Sequence, residues 1–105
     1  MIFVELPAFN RQKLFDDDGL REIQEQLLAE PAMGDLIPGG RGLRKLRAAL
    51  PVRGRRGGAR VIYYWQTSPQ VCYLIFAYAK NKRDDLTPAQ IRALAELMQE
   101  VLGDG

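Results

Sequence analysis

ARVIYYWQTSPQVCYLIFAYAK, residues 59–80, decides how the rest of the chain is read. Two runs dense in β-branched and aromatic residues flank a short break at Ser68, Pro69 and Gln70. Such runs favour extended backbone, and so brief a connection turns the chain straight back, so the pair reads as an antiparallel hairpin. Upstream, LRKLRAAL (43–50) is a third strand candidate. It reaches the hairpin through PVRGRRGG (51–58), a loose connection whose glycines permit positive φ. IFVEL (2–6) is a further short strand, ended by Pro7.

Helices bracket these strands. Downstream, Thr87 is placed as an N-cap, Pro88 as the first helical residue and Gln90 as the partner that completes a capping box. Ile91, Leu94, Leu97, Met98 and Val101 then form one apolar stripe, and Gly103 ends the helix. Upstream, Asp16, Asp17 and Asp18 supply capping oxygens and favourable charge for a helix striped by Leu20, Ile23, Leu27 and Leu28. Pro31 stops it, and PAMGDLIPGGRG (31–42) reads as a loop. PAFNRQKLF (7–15) suits a short helix with Pro7 in its first turn. The order is strand, two helices, a three-strand meander and a C-terminal helix. It predicts one α+β domain over residues 1–105, a mostly antiparallel sheet with helices on one face.

Composition narrows the function. With 47% hydrophobic residues the chain can pack a core. Its longest apolar run, VCYLIFAYA, is too short to span a bilayer as a helix, and the N-terminus shows no secretory signal, so a cytoplasmic protein is expected. The single cysteine, Cys72, reads as a buried core thiol. The net charge of +2 conceals a segregation: residues 36–83 hold eleven Lys or Arg and no Asp or Glu. So many cations of one sign in one segment point to a polyanion partner. Histidine is absent, which excludes the usual histidine acid–base pair and a histidine-bearing metal site. The carboxylates lie outside the basic segment, which disfavours a two-metal nuclease. No cofactor is expected.

Strand alternation turns the basic segment into a candidate site. If Leu46, Val61 and Trp65 face the helices, then Lys45, Arg47, Arg60 and Tyr64 gather on the open face, with Lys80 at the end of the last strand. Guanidinium groups bind phosphate oxygens bidentately, and a tyrosine ring stacks on a base. Crowded ammonium and guanidinium groups make a proton easier to exchange near neutrality. These parts suffice for cleavage of RNA by its own 2′-hydroxyl, with arginines stabilising the phosphorane. They also suit an RNA-binding surface without catalysis. Arg44, Arg53, Arg55, Arg56, Asn81, Lys82 and Arg83 are candidates for gripping a larger RNA.

Three blocks in this order, GLRKLR, RGGxRVIYYW and YAKNxxDDLT, resemble the HigB-like branch of the RelE/ParE toxin superfamily. The resemblance spans almost the whole chain and is strongest from Gly42 to Leu94. It implies a RelE-like fold and a toxin of a bacterial type II toxin–antitoxin module. It further implies ribosome-dependent, metal-free cleavage of mRNA and a cognate helix-turn-helix (HigA-like) antitoxin. Such toxins place functional residues at positions that here hold Lys45, Arg47, Arg60, Lys80, Asn81 and Lys82. Leu43 and Leu86 stand where better-studied members can carry a lysine and a tyrosine, which leaves the general base unassigned. A ParE-like inhibitor of DNA gyrase and a non-catalytic RNA-binding domain are the alternative readings.

Overall fold

The computed structural model describes residues 1–50, 58–81 and 85–103. Five strands and three helices follow one another as β1 (Ile2–Glu5), α1 (Pro7–Gln12), α2 (Asp17–Ala29), β2 (Asp35–Leu36), β3 (Arg44–Ala48), β4 (Ala59–Thr67), β5 (Gln70–Ala79) and α3 (Pro88–Val101). The strands form one sheet in the order β1-β5-β4-β3-β2. β1 runs parallel to β5, and every other neighbouring pair is antiparallel. The expected α+β class and hairpin are thus present, with β4 and β5 at the centre.

The termini of the helices follow from their capping residues. Asp16 accepts a hydrogen bond from the Gly19 amide at 2.8 Å and starts α2. Thr87 and Gln90 close the expected capping box, the Gln90 amide donating to Thr87 Oγ1 at 3.1 Å and the Thr87 amide to Gln90 Oε1 at 2.9 Å. These bonds satisfy amides that no helical carbonyl can reach.

The sheet is covered on both faces, which corrects the expectation of helices on one. Leu46, Val61, Tyr63 and Leu74 pack with Phe9 of α1 and with Ile23 and Leu27 of α2. On the reverse, Leu43, Ile62, Ile75 and Tyr78 pack with Ala95 and Met98 of α3. The physical reason is the double-sided character of β4. Its residues from Ala59 to Tyr63 are buried without alternation, so each face needs its own cover.

A β-bulge refines the pattern. Ile62 pairs with Phe76 and Tyr63 with Leu74, so Ile75 is an extra residue on β5. The insertion shifts the parity of β5 beyond it. Tyr78 therefore lies opposite Arg60, on the α3 face.

Buried Tyr63 secures the loop before β3. Its hydroxyl donates to the Pro31 carbonyl at 2.7 Å and accepts from the Gly34 amide at 2.9 Å. Burial pushes this phenol above its ordinary pKa, so it stays a neutral donor. Tyr63→Phe leaves both backbone groups without this partner and is expected to cost about 1–3 kcal/mol, read as a lower urea midpoint at unchanged slope.

Candidate functional site

The register of the three central strands builds a row of side chains on the α3 face. Arg47 of β3 lies opposite Arg60 of β4, and Arg60 lies opposite Tyr78 of β5. One step along, Lys45 lies opposite Ile62. Residues two apart on one strand share a face and are separated by roughly 7 Å. Lys45, Arg47 and Arg60 are therefore brought together as expected.

Their environments differ. Arg47 is exposed. Arg60 is only 8% exposed, the one charged residue buried among those described, and its Nη1 donates to the Ala59 carbonyl at 3.2 Å. Two like charges directly opposite one another on adjacent strands repel. Lys80 follows β5 at the same end, its amide donating to the Gly58 carbonyl at 2.9 Å, and Asn81 is exposed beside it.

Two residues that the sequence reading did not single out complete the cluster. Asp85, just before α3, accepts from the Leu86 amide at 2.9 Å, from Tyr78 Oη at 3.3 Å and from Lys45 Nζ at 3.4 Å. All three bonds go to Oδ1. The Leu86 amide, then Lys45 and Tyr78, hold the Asp85 carboxyl below its ordinary range against the opposing effect of burial. A carboxyl with a lowered pKa contributes stability that is present above the ordinary carboxylate range and is lost as pH falls through the lowered value. The Lys45–Asp85 contact is thus expected to be intact at neutral pH. In a carbon-detected NMR titration, Asp85 should show a midpoint below that of an unpartnered aspartate. A midpoint at or above the ordinary value contradicts the contact.

Other candidates are placed elsewhere. Tyr64 shares the face of Arg60 but lies four residues along β4, roughly 13 Å away. It packs into the α3-side core across from Tyr73, so it does not join the Arg60 cluster. Tyr78, opposite Arg60, holds the position that Tyr64 was expected to take. Arg44 points to the reverse face, where its guanidinium donates to the carbonyls of Ala32 at 3.1 Å and Gly34 at 2.8 Å. It braces the loop that Tyr63 also holds. Arg53, Arg55, Arg56, Lys82 and Arg83 lie outside the described residues.

A cleft of about 460 Å³ opens beside Lys45, between the segment from Asp35 to Gly39 and the start of α3. Lys45 and Ile62 line it from the sheet, Asp85 and Leu86 from the approach to α3, and Arg92 from the helix itself. Cys72 lies on the reverse side of the sheet, where burial pushes its thiol up to about 12, consistent with a core role. No helix among the described residues is long and apolar enough to cross a membrane.

Sequence and fold together place the chain in a class of protein toxins. The family model described as the RelE toxin of the RelE/RelB toxin–antitoxin system matches residues 6–103, and the chain belongs to that family. RelE toxins pair with a cognate antitoxin. Among solved structures, the chain is similar to a double arginine-to-alanine mutant of the E. coli toxin RelE in the free state. The TM-score is 0.56 at 12% identity, with 92% of this chain and 95% of that chain covered. At this identity the likeness establishes the shared fold.

Proposed function

We propose that the protein is a ribosome-dependent mRNA endonuclease of the HigB-like branch, the toxin of a module whose antitoxin is a helix-turn-helix protein. The observation that supports this most is the pairing of Arg47 with Arg60, two like charges placed opposite one another and beside Lys45. A phosphate that bridges two neighbouring guanidinium groups is held by both forks, a geometry well suited to an RNA backbone.

In this reading the ribose 2′-hydroxyl attacks the adjacent phosphorus. The O2′–P bond forms, the P–O5′ bond breaks, and a 2′,3′-cyclic phosphate and a 5′-hydroxyl result. Arg60 and Arg47 neutralise the charge that builds on the phosphorane. Lys45, whose ammonium pairs with Asp85, donates a proton to the departing O5′, while the 2′-hydroxyl proton passes to solvent. Lys80 and Asn81, with Arg53, Arg55, Arg56, Lys82 and Arg83, hold the surrounding RNA. The ribosome supplies the attack geometry, so free RNA is cut slowly. No metal is required.

The test is brief expression in a bacterium with mapping of mRNA 5′ ends, beside an Arg60→Ala control. New in-frame cuts in translated messages, absent from the control, are expected. Growth arrest without such cuts rejects the nuclease reading and favours gyrase inhibition.

A further inference from the structure

We propose that the cleft between β2 and α3 is a nucleobase subsite that accepts bases carrying an amino group and disfavours uracil. The assignment rests on the nuclease reading for the identity of the polymer, and it names which part of that polymer the cleft takes.

Size and shape come first. A volume of about 460 Å³ lies within the range of small-molecule sites, roughly 300–1,000 Å³. Leu36 and Ile37 form one wall, and Leu86 and Ile91 the other. A flat ring with apolar faces fits between apolar walls, and its polar edge then meets whatever acceptors lie at the rim.

Those acceptors are carboxylates. Asp35 and Asp85 both line the cleft. The three donors to Asp85 converge on Oδ1, so Oδ2 takes none of these bonds. An ionised carboxylate accepts hydrogen bonds and donates none. Adenine and cytosine offer exocyclic amino donors, and guanine offers its N2 amino group. Uracil offers that edge a single donor, N3–H, flanked by two carbonyl oxygens that repel a carboxylate, and no amino group.

Charge fixes the orientation. Lys45 connects the cleft to the arginine pair, and Arg92 stands on the α3 side. A nucleotide whose phosphate lies on the arginines thus has a base position beside Lys45. A protein side chain is the rival occupant. An apolar one would desolvate Asp35, Asp85, Lys45 and Arg92 without pairing them, which is costly.

The experiment titrates the full chain with AMP, CMP, GMP and UMP while following its backbone amides by NMR, alongside the Leu36→Asp variant. Leu36 is 59% exposed, so the variant keeps the fold, and its undisturbed spectrum elsewhere checks this. AMP, CMP and GMP are expected to shift the Ile37 and Ile91 amides, with UMP about tenfold weaker. Leu36→Asp adds a charge that repels phosphate, and is expected to weaken all four about tenfold or more. In cells, the same variant should alter the base distribution around mapped cuts. UMP binding as tightly as CMP overturns the proposal. So do shifts confined to the arginine pair, or no shifts with any nucleotide, which would leave the cleft to a protein side chain. If wild type cuts messages but Leu36→Asp leaves the cut-site bases unchanged, the subsite fails and the nuclease reading stands. If wild type cuts nothing while the titration succeeds, the nuclease reading fails and the subsite stands.

Discussion

Arg60→Ala is expected to lower ribosome-dependent cleavage of mRNA by about 10²–10³-fold, the usual loss when one preorganised donor to a developing anion is removed. The residue occupies the middle of a three-strand row, opposite both Arg47 and Tyr78. The residue is only 8% exposed, so its interaction with a phosphorane is less screened than that of a surface arginine. Burial also means that truncation leaves space in the sheet. Arg47→Ala separates chemistry from folding, because Arg47 is exposed. This variant is expected to lose most cleavage activity while its melting temperature stays within a degree or two, roughly the effect of other surface substitutions. Rates are read from the 5′-hydroxyl products on ribosome-bound messages. Full activity in both variants would reject the phosphate-binding role of the pair.

The second large effect concerns stability. Gly58 has φ +58°, and a Cβ there would lie 2.5 Å from the Ala48 carbonyl oxygen. Its own carbonyl accepts the Lys80 amide. Gly58→Ala thus combines a left-handed backbone with a clash against β3, together about 2–4 kcal/mol. In a domain of this length that lowers the melting temperature by roughly 10 °C or more. The clash falls beside the Ala48–Ala59 and Arg47–Arg60 pairs, so cleavage should decline with it. A melting temperature within a few degrees of wild type would show that β3 yields without cost.

Much of this fold is legible in the sequence. Thr87, Pro88 and Gln90 announce α3, Asp16 announces α2, and the dense β-branched and aromatic run of β4 announces the strand that carries Arg60. β2 escapes notice because two residues, Asp35 and Leu36, show no period within a loop rich in Gly and Pro. The second helical face escapes because Val61, Ile62 and Tyr63 are all apolar, and alternation cannot assign a side when both sides are buried.

The site divides in the same way. Parity alone brings Lys45, Arg47 and Arg60 to one face, since β3 alternates and pairs with β4 in simple register. Tyr78 was missed because it ends a continuous apolar run and because the bulge at Ile75 resets the parity of β5. The one available signal was its spacing of two from Lys80. Asp85 was missed because it falls just beyond the basic segment, where DDLTP reads as a helix start. It serves that start through the Leu86 amide and also reaches back across the sheet to Lys45.

The helix behind the sheet, α2, is acidic. On α2, Asp17, Asp18, Glu22 and Glu25 are exposed on the side of the sheet opposite Lys45, Arg47 and Arg60. The sheet thus separates this acidic helix from the row of Lys45, Arg47 and Arg60 on the other face. Charges separated across a sheet in this way turn a molecule near a polyanion as well as attract it, so that fewer encounters are wasted. Added salt slows that arrival more than it hastens departure, because the orienting field acts only before contact.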